Sequence, residues 1–376
     1  WHHGPIDAFW RAQISTGRDD LGAEVGRALP NGIELSWELD AASRPTARHT
    51  TRQQPGARAI ELDAKRYQWR GDDQIAAIID AVRGPRWFDH DGRGRLIRER
   101  RPGTSPLAGD AAIDRAMDAV GNVYRTPNLS DRRYSSGGRI EQADGTKYEH
   151  DELGNLTTKT EPDGATWRYR WNGAGMLTEV ERPDGSRVGY EYDVFARRTK
   201  KTLYRLDESN IEGPTDPKVR AMMDLPPAEP ARIVEREVRF VWDGDHMLHE
   251  LSSDDGLTTW YWQPGSFTPV AKERTGQFWH LTHDHLGTPT EMYDEAGELV
   301  WQMSLDIFGE PSFDVGTAQD CPFRWPGQYE DGETGLFYNR HRYYERESGR
   351  YFSQDPIRLH GGLKVHQYVS DPLSRT

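Results

Sequence analysis

The sequence predicts an all-β protein built from consecutive antiparallel hairpins, and three observations support this prediction. The chain is rich in Trp (13), Tyr (16), Gly (37) and Pro (23), although only 35% of its residues are hydrophobic. This composition is typical of many short strands joined by tight turns and unlike that of a helical bundle. A motif also recurs every 21 residues, and an Asp-x-x-Gly turn signature appears along much of the chain.

The 21-residue motif is clearest between residues 148 and 196. Three columns share this step: an aromatic residue, a turn-opening Asp or Asn, and a small residue three places later. Their members are Tyr148, Tyr169 and Tyr190; Asp151, Asn172 and Asp193; and Gly154, Gly175 and Ala196. The tripeptide Pro-Asp-Gly recurs at the same step, at 162–164 and 183–185. Chance does not align so many columns at one period, so the chain contains a true repeat.

Each repeat predicts one hairpin. The segment before the turn alternates aromatic and polar residues with period two, which indicates a half-buried strand. The Asp or Asn side chain accepts hydrogen bonds from the backbone of the turn, and Gly three residues later adopts a positive φ without steric cost. Pro-Asp-Gly then reverses the chain after the second strand. Successive repeats therefore extend one antiparallel sheet.

The same turn signature occurs outside the repeat. It is found at Asp91/Gly94, Asp118/Gly121, Asp284/Gly287, Asp294/Gly297 and Asp306/Gly309. One such turn is weak support, but so many of them, flanked by aromatic or β-branched residues, indicate strands throughout. Residues 72–82 fit either a short helix or a strand. Residues 207–235 are rich in Pro and acidic residues, with one short helical stretch at 217–223, and we interpret them as a surface insertion or linker.

Bulk properties exclude several classes of function. The formal charge of −13 argues against a protein that binds a phosphate backbone. The chain has no apolar run near the roughly 20 residues that a membrane helix needs, and no secretory signal peptide. A single cysteine, Cys321, excludes an internal disulfide framework and fits folding in a reducing cytosol. Because the first residue is Trp1 and not Met, we expect a piece of a longer protein.

Specific segments resemble a known family. Residues 148–177, YEHDELGNLTTKTEPDGATWRYRWNGAGML, and 190–198, YEYDVFARR, resemble the YD repeats of Rhs proteins, which are relatives of the teneurin and Tc-toxin shells. Residues 284–311 resemble the Rhs core, and residues 321–373 resemble the Rhs-core-associated C-terminal module. The resemblance covers about residues 60–373.

The resemblance implies a spiralling strip of hairpins that forms part of a hollow cage with a C-terminal plug. It implies a division into a YD-repeat shell (1–206), the Pro- and acid-rich insertion or linker (207–235), a continuation of the shell (236–320) and the C-terminal module (321–376). A long antiparallel sheet with one aromatic face can bury that face only partly, which suits a wall around a wet or client-filled interior.

In the family, the C-terminal module is an intramolecular aspartyl protease that releases the toxin. The resemblance places Asp355 at the first catalytic Asp and Arg342 at the Arg that accompanies it. Two carboxylates that share a proton supply a base and an acid, and a nearby Arg orients the ionised carboxylate. Arg358 stands where many members have Gly, which we expect to alter a surface turn more than the chemistry.

The second catalytic Asp is missing from the chain. The resemblance places it just past Thr376, and Asp371 lies only 16 residues after Asp355, which is too close. Alone, the chain should therefore be inert as an enzyme. The residues by themselves also allow the alternative that Arg342 and Asp355 form a partly buried salt bridge that staples the plug.

Two metal hypotheses are less favoured than structural ones. His280, His283 and His285 could suggest a zinc cluster, but strand alternation places 280 on the face opposite to 283 and 285. Calcium needs several converging oxygens, whereas the repeat carboxylates lie 21 residues apart. We expect no metal and no cofactor.

We therefore expect a cage fragment that encapsulates a C-terminal toxin domain for delivery, through the type VI secretion system, in interbacterial competition. It would fold in the cytoplasm of the producing cell and then be delivered into a target cell. Expected partners are its own toxin domain, a secretion spike protein, a chaperone and an immunity protein, with no nucleic acid bound by the shell and no membrane span. The alternatives are a YD-repeat cell-surface protein that binds carbohydrate through exposed Trp and Tyr, and a free-standing peptidase that acts in trans.

Overall fold

The structure, a computed structural model, describes residues 14–53, 56, 58–103, 109–211, 214, 216–224, 230–357, 360 and 364–374. Across these ranges the chain forms four antiparallel sheets and one short helix, which confirms the all-β prediction. In every sheet the strands that are neighbours in the chain are also neighbours in space. The fold is therefore a succession of hairpins.

The first sheet contains nine strands. They are β1 (Ser15–Arg18), β2 (Glu24–Ala28), β3 (Ile33–Leu39), β4 (Pro45–Arg52), β5 (Ile60–Trp69), β6 (Ile75–Asp80), β7 (Gly84–His90), β8 (Leu96–Arg101) and β9 (Ala111–Asp114). The second sheet is a pair, β10 (Ala116–Met117) and β11 (Val123–Tyr124).

The third sheet contains sixteen strands. They are β12 (Arg132–Tyr134), β13 (Ile140–Ala143), β14 (Thr146–His150), β15 (Leu156–Thr160), β16 (Thr166–Trp171), β17 (Leu177–Glu181), β18 (Arg187–Tyr192), β19 (Arg198–Ile211), β20 (Pro230–Asp243), β21 (His246–Ser252), β22 (Gly256–Trp262), β23 (Pro269–Arg274), β24 (Gln277–His283), β25 (Pro289–Tyr293), β26 (Leu299–Leu305) and β27 (Pro311–Val315). The fourth sheet has four short strands. They are β28 (Tyr329–Asp331), β29 (Leu336–Asn339), β30 (Arg342–Glu345) and β31 (Arg350–Tyr351).

The hairpin turns form by the mechanism that the sequence predicts. The Asp151 carboxylate accepts a hydrogen bond from the amide of Asn155 at 2.8 Å, and the amide of Gly154 donates to the Asp151 carbonyl at 3.0 Å. Gly154 has a φ of +82°, in the left-handed region. The same pattern of bonds closes the turns that open at Asn172 and Asp193.

The repeat columns define one face of the third sheet, which we call the inner face. The aromatic members Tyr148, Tyr169 and Tyr190 are all buried on it. Their cross-strand partners also follow the 21-residue step: Tyr148 pairs with Lys159, Tyr169 with Val180 and Tyr190 with Lys201. Because cross-strand partners share a face, the inner face carries a column of tyrosines beside a column that contains two lysines.

The fourth sheet covers this inner face. Ring centroids lie 5.1 Å apart for Tyr169 and Phe352, and 5.4 Å apart for Tyr190 and Tyr343. These rings belong to one hydrophobic cluster that the third and fourth sheets share. In the described part of the chain, the aromatic face is therefore buried by the chain's own C-terminal segment and does not line an open space.

The first sheet packs against the last hairpins of the third. Arg48, which is fully buried, donates to Asp63 at 2.5 Å and to Glu291, 243 residues later, at 2.9 Å. Lys65 contacts the same Glu291 oxygen at 2.9 Å. Burial opposes ionisation of Glu291, but these two cations outweigh it and hold its pKa well below its usual range. The start of the chain thus returns to contact its later strands.

The structure gives the secondary structure of two segments that the sequence did not assign to strands. Residues 72–82 fitted either a helix or a strand, and residues 207–235 were interpreted as a surface insertion or linker. Residues 72–82 contain strand β6, which pairs on both sides within the first sheet. In the segment 207–235, β19 and β20 run through both predicted boundaries and pair with each other, Asp207 opposite Ala231. A helix, α1 (Pro217–Met222), lies between β19 and β20 in the chain. The side chain of its N-cap residue, Asp216, accepts a hydrogen bond from the backbone amide of Lys218 at 2.8 Å. The division into four domains stays a prediction.

Ala196 gives a direct test of the repeat turn. It occupies the position of Gly154 and Gly175 and has a φ of 59°, which strains a residue with a Cβ atom. We expect Ala196→Gly to raise the free energy of unfolding by about 0.5–1 kcal/mol. The matched variant Gly175→Ala, whose added Cβ would meet no atom within 4 Å, should lower it by a similar amount. Urea unfolding of both variants checks this, and destabilisation by Ala196→Gly would contradict it.

Candidate functional site

Arg342 and Asp355, the two predicted site residues, lie together on the C-terminal module. Arg342 begins β30, and Asp355 follows β31 in the chain. The Arg342 Nη1 atom lies 3.0 Å from the Asp355 Oδ2 atom, and both side chains are about one-fifth exposed. The structure thus places the two residues in contact. Both the catalytic role and the salt-bridge alternative stay predictions, because each is compatible with this contact.

Several groups hold this pair in place. The Arg342 guanidinium lies over the ring of Tyr351, 3.7 Å from its centroid. The Tyr351 hydroxyl accepts from Asn339 at 2.9 Å, and burial raises its pKa. The backbone amide of Asp355 donates to the Val365 carbonyl at 2.8 Å. The carboxylate and the guanidinium are therefore fixed in position, with part of their surface accessible to solvent.

The other Asp-Pro sequence of the module does not join this pair. The Asp371 carboxylate contacts the imidazole of His90 at 3.1 Å and accepts from the amide of Leu373 at 2.9 Å. The pair thus consists of one carboxylate and one guanidinium. The predictions that concern Arg358 and Thr376 fall on residues outside the described part of the chain.

A buried charge cluster joins the module to the inner face. Arg198 begins β19 and is fully buried, and its Nη1 atom donates to the Asp331 Oδ2 atom of the module at 2.6 Å. Four aromatic rings surround the guanidinium, with centroids 4.4 to 5.4 Å away, from Tyr190, Phe240, Tyr329 and Tyr338. A desolvated guanidinium is stabilised by such rings in addition to its carboxylate partner.

The two repeat lysines contact acidic residues of the module. Lys201 lies 3.1 Å from Asp331 and 2.9 Å from Glu333, and Lys159 lies 3.0 Å from Glu345. Burial opposes ionisation of Glu333, but Lys201 and nearby Arg236 outweigh it and lower the Glu333 pKa to about 2. The module is thus bound to the wall by charge complementarity as well as by aromatic packing.

The three histidines of the segment 280–285 have separate partners. His280 is buried within β24, and burial lowers its pKa to about 4. His283 contacts the Asp284 carbonyl at 2.8 Å, and His285 contacts the Leu373 carbonyl at 2.8 Å. The prediction that 283 and 285 share a strand face is wrong, because β24 ends at His283 and Asp284 opens a turn. Within the described ranges, no group of three or more His, Cys, Asp or Glu side chains could hold a metal ion.

Sequence reasoning missed the residues that attach the module. The sequence did indicate part of this attachment, because Lys159 and Lys201 occupy the same inward-facing repeat position as the apolar Val180. A charged residue at a buried position indicates an opposite charge nearby. For Arg198 and Asp331, which are 133 residues apart, the sequence offers no comparable signal.

Comparison with known proteins gives matches to two families. The RHS Repeat family matches residues 150–187, and the Teneurin YD-shell family matches residues 248–360. Toxin protein Tse5 of Pseudomonas aeruginosa is 29% identical over 431 residues, which cover 91% of this chain and 30% of that protein. Double-stranded DNA deaminase toxin A of Burkholderia cenocepacia is 29% identical over 339 residues, which cover 82% and 22%. The chain thus spans less than a third of the length of these relatives.

Solved structures show the same fold. The crystal structure of TcdB2-TccC3-Cdc42 matches with a TM-score of 0.68 and 17% identity, over 96% of this chain and 19% of that one. The crystal structure of TcdB2-TccC3 without its hypervariable C-terminal region matches with a TM-score of 0.59 and 15% identity, over 96% and 19%. Among the described residues, no helix has the length and apolar character needed to cross a membrane.

The consecutive hairpins, the 21-residue repeat and these matches define the class, a YD-repeat shell protein. Within this class, the chain is similar to Rhs proteins, because residues 150–187 match the RHS Repeat family and the relatives named above are toxins.

Proposed function

We propose that this chain is the last part of an Rhs cage wall, together with the plug that closes it around a toxin encoded further along the same protein. The observation that carries this proposal is the position of the C-terminal module, which lies on the inner face and is bound there by Arg198 and the two repeat lysines. A segment that follows the module in the chain would start on the enclosed side of the wall. The named toxin relatives, which are far longer than this chain, support this reading.

The module releases the toxin by cutting its own chain after it. In such a hydrolysis one carboxylate takes a proton from water, and the water oxygen bonds to the peptide carbonyl carbon. A protonated carboxyl then gives its proton to the departing nitrogen as the C–N bond breaks. Asp355 supplies one carboxyl group and Arg342 stabilises its ionised form. The second carboxyl group would come from an Asp beyond Thr376.

The cage would act in interbacterial competition. It would fold in the cytoplasm of the producing cell with the help of a chaperone, and a type VI secretion spike would deliver it into a target cell. An immunity protein would protect the producer from the toxin. The support for this route is the toxin identity of the named relatives. We retain the four-part division at residues 206, 235 and 320 as part of this proposal.

The experiment that tests the proposal uses the full-length protein. We expect mass spectrometry of the purified protein to find two chains, cut just beyond Thr376, that elute together on native size-exclusion chromatography. A protease that digests the downstream segment after unfolding in urea should leave it intact in the native complex. A downstream segment that the protease digests in the native protein would contradict encapsulation, and selective binding on a glycan array would favour the carbohydrate-binding alternative.

A further inference from the structure

Three buried side chains, those of Arg115, His90 and His285, contact the last described residues, 369–374, and we call this segment the strap. Arg115, which is 2% exposed, follows β9. Its Nη1 atom donates to the Ser370 carbonyl and its Nη2 atom to the Val369 carbonyl, each at 2.8 Å. The planar fork of a guanidinium fixes the direction of two consecutive carbonyls at once. Arg115 therefore determines the backbone path at the start of the strap.

Two histidines hold the rest of the strap. The His285 Nε2 atom donates to the Leu373 carbonyl at 2.8 Å; the carbonyl can only accept, so this nitrogen carries the proton. The ring of His285 is itself held between aromatic side chains, 5.2 Å from Tyr67 and 6.1 Å from Trp69. The fully buried His90 contacts Asp371 at 3.1 Å. Arg115 therefore contacts the start of the strap, His90 its middle and His285 its end.

The chemistry of Arg115 indicates a role beyond packing. Among the described residues its guanidinium donates to three main-chain carbonyls, the third that of Leu96 at 3.3 Å, and burial lowers its pKa. Burying a guanidinium that bonds neutral carbonyls costs more desolvation free energy than burying an apolar side chain of the same size. Because these hydrogen bonds go to main-chain carbonyls, they fix the backbone of the strap whatever side chains the strap carries.

The strap is connected to the predicted site by direct contacts. Tyr368, which precedes it, packs against Tyr351 with ring centroids 5.7 Å apart. The guanidinium of Arg342 also contacts Tyr351, 3.7 Å from the ring centroid. A shift of the backbone at Val369 would therefore move Tyr368 and, through Tyr351, the arginine that pairs with Asp355.

We propose that Arg115, with His285 and His90, is a positioning clamp that fixes the strap backbone and so selects which peptide bond beyond Ser374 the Arg342–Asp355 pair cleaves. This inference rests on the proposed self-cleavage. Among the described residues, no hydrogen bond or ion pair joins the clamp to Arg342 or Asp355, so the clamp acts through the position of the strap.

The first test measures the strap itself in the 376-residue chain. In Arg115→Met, which removes the donors and keeps most of the volume, we expect hydrogen–deuterium exchange in peptides that cover 364–374 to be about tenfold faster than in the wild type. The matched control is Arg132→Met. Arg132 is also buried and donates to three main-chain carbonyls, those of Glu347 and Ser348 at 2.6 Å and that of Val123 at 3.5 Å, but it lies outside the clamp. The control should leave exchange in the strap unchanged.

The second test measures cleavage in the full-length protein. We expect Arg115→Met and His285→Phe, which keeps the aromatic packing of His285, to slow cleavage about tenfold or more and to spread the cut over neighbouring peptide bonds. Arg115→Lys should restore part of the rate. A single cut at the wild-type bond and rate in both of the first two variants would overturn the clamp alone, as would unchanged exchange in the strap. A wild-type protein that is never cut would instead refute the proposed function, and the role of the clamp with it.

Discussion

We expect Asp355→Asn in the full-length protein to slow separation of the downstream segment by about a thousandfold or more, while the wall and the module still fold. Asn has nearly the same shape as Asp and can still contact Arg342, but it cannot ionise or take a proton from water. The contact at 3.0 Å is one-fifth exposed, so losing its charge should change the free energy of unfolding little. Mass spectrometry after timed incubation measures the remaining uncut protein.

The matched control for this experiment is Asp216→Asn. Asp216 also precedes a proline, but it caps α1, where Asn serves as well as Asp. Cleavage should therefore proceed as in the wild type. Arg342→Ala adds a second criterion, because it should slow cleavage if the guanidinium supports the Asp355 carboxylate. Normal cleavage in Asp355→Asn would remove Asp355 from the mechanism, and unchanged kinetics in Arg342→Ala would leave Arg342 as one half of a stabilising ion pair.

Arg198→Met lowers the free energy of unfolding by about 3 kcal/mol, the largest effect that we expect on stability. Among the described residues, the substitution leaves the fully buried Asp331 with Lys201 as its cation partner, and it also removes the guanidinium from its four aromatic rings. Chemical unfolding, followed by tryptophan fluorescence, measures the change.

Lys200→Met is the matched control for Arg198→Met. Lys200 is two residues away and pairs with Glu191 at 2.6 Å, but both side chains of that pair are partly exposed, so the effect should stay within about 1 kcal/mol. The double variant Arg198→Met/Asp331→Asn should recover part of the lost free energy of unfolding, because the buried carboxylate that Arg198 compensated is then absent. A loss under 1 kcal/mol in the single variant would mean that the cluster does not attach the module.

The sequence predicts the turns and the inward-facing aromatic column because both depend on local chemistry. Asp151 and Gly154 close their turn whatever packs above it, and the alternation around Tyr169 places that ring on one face in any antiparallel sheet. The strand β6 could not be assigned, because its run of Ile and Ala lacks a clear period and its pairing with β5 and β7 decides the outcome.

The candidate site was only partly accessible from the sequence. Arg342 and Asp355 were found through the family resemblance, and nothing in their spacing alone predicts a contact at 3.0 Å. Arg115 donates hydrogen bonds to strap residues that lie 254 and 255 positions further along the chain. Such pairings follow from how the sheets pack on one another, which no local pattern specifies.

The strictly consecutive order of the strands has a consequence for biosynthesis. Because each strand of the sixteen-stranded sheet pairs with the strands made just before and just after it, the wall can assemble hairpin by hairpin as the polypeptide leaves the ribosome. The fourth sheet is made after the sixteen-stranded sheet and packs on an inner face whose strands are already paired. Under the proposed function, a segment made after the fourth sheet would therefore leave the ribosome beside a module that is already in place.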